Sequence, residues 1–169
     1  MADQAKEKPL AADSFFANGM ASRPLPAHTV ARGQLREDAA YFTGKAGDKF
    51  LTVVPAPVTR WMLERGRQRY DIYCSVCHDR TGGGRGMVVE RGFPAPPSLH
   101  IDRLREADIG YFYEVITNGH GVMYSYASRV EPGDRWAIAA YIRALQLSQH
   151  ATLADAGPAA RAQLEAAPP

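Results

Sequence analysis

The sequence predicts a mostly α-helical fold, and three observations carry that reading. Apolar residues recur at spacings of three and four in three separate stretches. Helix-starting and helix-ending residues bound those stretches. No clear strand pattern competes with them, apart from a weak LTVV run at 51–54.

The first helix is expected over about residues 59–73, where Leu63, Gly66, Tyr70 and Tyr73 share one face. The second is expected over about 108–118. Ile109, Phe112, Tyr113 and Ile116 form its stripe, Asp108 is placed to cap it and Gly119 to end it. The third is expected over about 132–147. Pro132 suits a first helical turn, Asp134 favours the dipole there, and Ile138, Tyr141, Ile142 and Leu145 make the apolar face.

The chain has 169 residues, which suits one globular domain plus extra segments. Three zones follow. Residues 1–57 are rich in Ala, Pro, Gly and polar groups and read as an extended arm. Phe15, Phe16, Leu25, Val30, Tyr41, Phe42, Phe50 and Leu51 are too many large apolar groups for a purely solvated tail, so the arm is expected to dock on a partner. Residues 58–148 are the compact domain, and 149–169 an Ala- and Pro-rich tail with a short helix around 158–165. A net charge of +2, with no basic run interleaved with aromatics, points away from nucleic acid. No apolar stretch approaches the ~18 residues of a membrane span.

The two cysteines lie together in Tyr73-Cys74-Ser75-Val76-Cys77-His78, which excludes a disulfide framework. C-x-x-C-H is the haem c attachment signature. Coming off a helix, the two thiols can present to one edge of a flat macrocycle and form thioethers, while His78 comes up beneath the iron. A thioredoxin-like pair would follow a strand and open a helix, and a zinc site would need a further ligand such as His100 or His120. The glycine-rich run Thr81-Gly82-Gly83-Gly84-Arg85-Gly86 lacks the Lys-Ser/Thr of a phosphate loop. It reads instead as backbone passing close to the haem edge.

Electron-carrying haems with His on one side often take Met on the other. Met20 lies in the arm, and Met62 beside the core face of the first helix. Met87 follows His78 by only nine residues. Met123 lies between the second and third helices, in Gly119-His120-Gly121-Val122-Met123-Tyr124, where a loop can present a ligand. Met123 is the expected sixth ligand and His120 its rival. His28, His100 and His150 read as polar surface residues, His100 near enough to reach the haem edge.

Taken in order, the helix ending in Cys74–His78, the Pro96-Pro97-Ser98-Leu99 element, the Met123 loop and Trp136–Arg143 on the last helix resemble a class I cytochrome c. The resemblance implies that the first and last helices cross closely, with Gly66 and Tyr70 toward Tyr141. It also implies that the Pro97 carbonyl accepts from His78 Nδ1–H. Tyr124 stands where that family commonly has Pro after the Met.

A narrower resemblance spans nearly the whole chain. Ser14-Phe15-Phe16, Ser22-Arg23-Pro24, Thr29-Val30-Ala31-Arg32-Gly33, Arg91-Gly92-Phe93-Pro94-Ala95-Pro96-Pro97-Ser98 and Asp134–Ile138 are together similar to the mono-haem cytochrome c subunits (ActE) of alternative complex III. That implies an electron-transfer subunit, itself not an enzyme, in a membrane-bound quinol-oxidising respiratory complex. A multihaem cytochrome subunit would be the donor, and a cytochrome or terminal oxidase the acceptor. It further implies export to the periplasmic face of the inner membrane and a lipid anchor on an N-terminal cysteine. MADQAKEKPL holds neither an apolar leader core nor a cysteine, so both features are expected upstream of Met1.

Overall fold

The computed structural model describes residues 4–32 and 34–166. Met1 and Gly33, which figure in the readings above, lie outside the described residues. The chain divides into two compact units, Met1–Glu37 and Asp38–Pro169.

The first unit is built from turns, with no helix among its described residues. A bridge pairs Ala12 with Met20, and the Asp13 carboxylate accepts from the Phe15 amide at 2.8 Å. Phe15 meets Phe16 edge to face, and the Arg23 guanidinium lies 3.9 Å from the Phe16 ring centre. Leu10, Phe15 and Leu25 stay exposed.

The second unit begins earlier than the compact zone expected from sequence. Its first helix, α1 (Ala39–Thr43), is capped by Asp38, whose side chain accepts from the Tyr41 amide. Gly44 closes it at φ 73°, a left-handed conformation that glycine adopts without strain. A two-residue hairpin follows, β1 (Lys45–Ala46) against β2 (Lys49–Phe50). The LTVV run itself is not a strand. Leu51 and Val54 pack against the core instead. Backbone bonds Leu51 N–Gly44 O at 2.9 Å and Gly110 N–Leu51 O at 2.8 Å tie this segment to the domain. Sequence periodicity missed it because an element this short has no period to read.

Helix α2 (Arg60–Tyr73) starts at Thr59, whose hydroxyl accepts from the Met62 amide. It buries Met62, Gly66 and Tyr70. The short α3 (Ser75–His78) continues the chain, and α4 (Asp102–Arg105) comes next, too brief to be foreseen. Helix α5 (Ile109–Asn118) buries its predicted stripe and ends at Gly119, but Asp108 makes no side-chain capping bond. Helix α6 (Pro132–His150) runs three residues beyond its predicted end, with Pro132 in its first turn. In the tail, α7 (Pro158–Ala166) forms where the proline predicted a start.

Helices α2 and α6 cross at Gly66, and Tyr70 meets Tyr141 edge to face with ring centres 5.5 Å apart. The core is centred on α6. Trp136 and Ile138 are fully buried there, with Trp136 stacked on Tyr113 of α5 at 4.3 Å. The Trp136 indole N–H, which burial would otherwise leave unpaired, donates to the Tyr41 carbonyl at 2.8 Å. This mostly helical arrangement leaves an apolar cavity between the C-x-x-C-H segment and α5.

Candidate haem site

Cys74 ends α2, its amide still bonded to the Tyr70 carbonyl at 2.9 Å. The next turn tightens: the amides of Cys77 and His78 both point to the Cys74 carbonyl, at 3.1 and 2.9 Å. This compact turn brings both sulfurs and the imidazole to one wall of a cavity of about 370 Å³. That volume lies in the usual range of ~300–1,000 Å³ for small-molecule sites.

The turn is braced from behind by the glycine-rich run. Gly84 N donates to the His78 carbonyl, and Gly86 N to the Cys77 carbonyl, each at 3.0 Å. A Cβ on Gly86 would lie 2.3 Å from the Val76 carbonyl oxygen. These glycines therefore serve close backbone approach to the C-x-x-C-H turn. None of residues 82–86 lines the cavity, which corrects the expectation that they run along a haem edge.

Asp79 locks the same corner. It takes φ 55°, rare for a residue with a Cβ. Its carboxylate accepts from the Thr81 amide at 2.6 Å, the Thr81 hydroxyl at 2.7 Å and the Arg85 amide at 3.0 Å. Burial pushes its pKa up, but these bonds together outweigh burial and hold it at about 2.

Met123 lies across the chain in a tight turn. His120 and Met123 exchange both backbone bonds, at 2.8 and 3.0 Å. Both residues line the cavity; Met123 is half-buried against the core, whereas His120 is exposed. Pro97 also lines it. Met62 is buried in the core away from this cavity, and Met20 and Met87 are exposed elsewhere. His100 does not line it either. Its ring contacts the Thr81 carbonyl at 2.6 Å and stacks on His150, with ring centres 5.8 Å apart.

The chemistry of these groups fits a covalently held haem. Both cysteines are free. Burial pushes the Cys74 thiol up to about 12 and raises Cys77 as well, so neither is the ready thiolate of a redox dithiol. Among the described residues no group of three or more His, Cys, Asp or Glu is arranged to hold a metal ion, as a zinc site would require. Burial lowers the His78 pKa, which keeps its imidazole neutral and able to ligate. Its Nδ1 is buried without a hydrogen-bond partner. The expected bond to the Pro97 carbonyl is therefore not formed, although Pro97 borders the same cavity.

The remaining walls are apolar: Phe112 and Ile116 from α5, Ile138 and Ile142 from α6, and Leu99, Phe93 and Tyr126 from loops. The α5 and α6 residues were legible as helix stripes. Tyr126, in a loop, and Arg103, on the four-residue α4, also line the cavity and carried no sequence signal, because neither a loop nor so short a helix has a period to read.

Residues 62–142, just under half of the chain, match the family described as cytochrome C oxidase, cbb3-type, subunit III. The matched segment holds the C-x-x-C-H turn, the Met123 turn and the point where α2 and α6 cross, at Gly66 and Ala137. The chain carries a class I cytochrome c domain. Its cofactor is covalently bound haem c, and its role is electron transfer. No curated protein matches the cytochrome chain. No helix among its described residues is long and apolar enough to cross a membrane.

Proposed function

We propose that this cytochrome is the mono-haem electron-transfer subunit of a membrane-bound quinol-oxidising respiratory complex of the alternative complex III type. The carrying observation for the electron-transfer site is that Cys74, Cys77, His78 and Met123 line one apolar cavity. Cys74 and Cys77 would hold the porphyrin through thioethers, and His78 and Met123 would ligate the iron. The haem supplies one-electron redox chemistry. The chain's own residues do the rest. The C-x-x-C-H turn orients the imidazole. The apolar walls exclude water, and a neutral thioether sulfur favours the reduced iron and raises the potential. With His78 and Met123 both on the iron, substrate binding at the metal would be disfavoured, which in this reading makes the subunit a carrier rather than an enzyme.

Membership of a complex is supported by the first unit, where Leu10, Phe15 and Leu25 are exposed at 89%, 86% and 71%. Scattered apolar exposure is ordinary, but a turn-built segment this rich in it suits a protein partner. In this reading the docking strap is the part of the 1–57 arm that precedes Asp38, because residues 38–57 pack with the domain 58–148, and 149–169 is its tail. A multihaem cytochrome subunit would be the donor, and a cytochrome or oxidase the acceptor, at the periplasmic face of the inner membrane.

The test is gentle detergent extraction of native membranes followed by native gel electrophoresis and haem staining. The expected result is migration with a multihaem cytochrome and quinol-oxidising activity. Recovery only as a free species would instead make it a diffusible periplasmic carrier. The exposed His120 beside Met123 favours one further reading, a haem enzyme or sensor with a displaceable sixth ligand. Fast carbon monoxide binding to the reduced protein would select it.

A further inference from the structure

We propose that Arg135 is the positioning residue for Met123: from inside the protein it pins the turn behind the Met123 segment and so sets how readily the sulfur leaves the iron. The proposal rests on the reading of Met123 as the iron ligand.

Arg135 stands in the first turn of α6 and is 4% exposed. Its guanidinium spreads over three neutral oxygens. Nε donates to the Val130 carbonyl at 2.8 Å, one terminal nitrogen to the Thr117 hydroxyl at 3.1 Å, and the other to the Ala127 carbonyl at 3.0 Å. Among the described residues it joins no ion pair. A buried cation without a counter-charge is costly. Reaching two carbonyls of the 127–130 turn and the Thr117 hydroxyl of α5 at once needs donors in three fixed directions, which the arginine fork provides and a lysine cannot.

That turn is the rear anchor of the Met123 segment. The Tyr126 amide donates to the Ile116 carbonyl at 3.0 Å, and the Val130 amide to the Tyr126 carbonyl at 2.9 Å. Ser125 donates its hydroxyl to the Thr117 carbonyl at 2.5 Å, so Thr117 receives both Arg135 and the segment itself. Met123 is thus held in front by its bridge to His120 and behind by bonds that converge on Arg135. Loss of the rear anchor frees the segment to swing.

Helix α6 contains its own control. Arg143 also collects carbonyls, those of Leu104, Arg105 and Ala107, but these belong to the α4 loop. Losing it should cost stability without touching Met123.

The experiment uses the haem-loaded full chain, oxidised, with variants Arg135→Lys, Arg135→Met, Arg143→Lys and the milder Thr117→Val, which removes one acceptor and should fold if the others do not. Imidazole is titrated against the far-red sulfur–iron band, and amide hydrogen exchange is followed in residues 123–130 and 101–107. The Arg135 variants should bind imidazole about tenfold more tightly, the effect of losing one well-formed hydrogen bond to a charged group. Thr117→Val should shift the same way by less, and exchange should rise in 123–130. Arg143→Lys should leave imidazole affinity unchanged and raise exchange in 101–107. Unchanged affinity in the Arg135 and Thr117 variants, or an equal shift in Arg143→Lys, overturns the positioning role. Persistence of the band in Met123→Ala overturns the ligand reading itself, and the proposal with it.

Discussion

A Cβ on Gly66 would stand 2.0 Å from the carbonyl oxygen of Ala137. The two helices that frame the haem cavity therefore touch backbone to backbone, and the missing side chain permits it. Because the obstacle is main chain and not a flexible side chain, α2 and α6 must separate to admit a methyl group. Gly66→Ala should cost at least about 3 kcal/mol, the upper end of overpacking effects. Chemical denaturation of the haem-loaded protein measures it. A loss under about 1 kcal/mol would mean that the helices can slide apart.

The two candidate sixth ligands share one turn but not one environment. Met123 is half-buried and His120 exposed. Met123→Ala should abolish the far-red band of the oxidised protein and open the reduced iron to carbon monoxide. His120→Ala should keep both properties of the parent. The opposite pattern in the two absorbance spectra would assign the ligand to His120.

Much of this site could be read from the sequence, and the reasons are local. The C-x-x-C-H turn, the α5 stripe through Phe112 and Ile116, and Pro132 at the head of α6 each declare themselves within a few residues. Met123 could be reached as a candidate ligand by setting aside the other methionines, with His120 of the same loop as its rival, and both line the cavity. What escaped depends on contacts distant in sequence. Trp136 reaches Tyr41, and Arg135 reaches Thr117, through bonds that no spacing encodes. The glycines at 84 and 86 were visible, but their partners were not: they meet Pro96 and Val76 backbone atoms.

Asp134 was expected to act on the helix dipole alone, yet it also joins α6 to α2. Arg65 grips it with two nitrogens at 2.7 and 2.9 Å, and Arg69 approaches at 3.4 Å. The pair is partly exposed, so solvent screening keeps its worth modest. Asp134→Asn should lower stability slightly at low ionic strength. The difference should shrink as salt is added, because screening acts on the charge and not on the packing. A salt-independent deficit would point to lost hydrogen-bond geometry instead.

Asp79 makes stability sensitive to acid in a defined window. Its folded pKa, about 2, lies below its ordinary value of 3.8. The unfolded chain therefore binds the proton more readily, and the contribution of Asp79 is complete above pH 3.8. It is lost as pH falls toward 2. Asp79→Asn keeps an acceptor oxygen but removes the charge, so it should be less stable near neutrality and the gap to the parent should close as the pH passes down through that window. Denaturation midpoints across the range report it. A gap that stays constant would show that the charge contributes nothing and the backbone shape everything.

The boundary of the folding unit can be tested by truncation. Sequence composition places it at residue 57, whereas the compact unit begins at Asp38. Residues 38–57 supply Tyr41, Leu51 and Val54 to the core and the Tyr41 carbonyl that accepts from the Trp136 indole. A chain starting at Val58 exposes those apolar contacts and leaves a buried N–H unpaired, itself a penalty of about 1–3 kcal/mol. It should therefore unfold at clearly lower denaturant than a chain starting at Asp38, when both are haem-loaded. The loss should appear in the near-ultraviolet signal of Trp136, since the stack on Tyr113 loses its outer support at Tyr41. Equal midpoints for the two chains would place 38–57 outside the cooperative unit and return it to the arm.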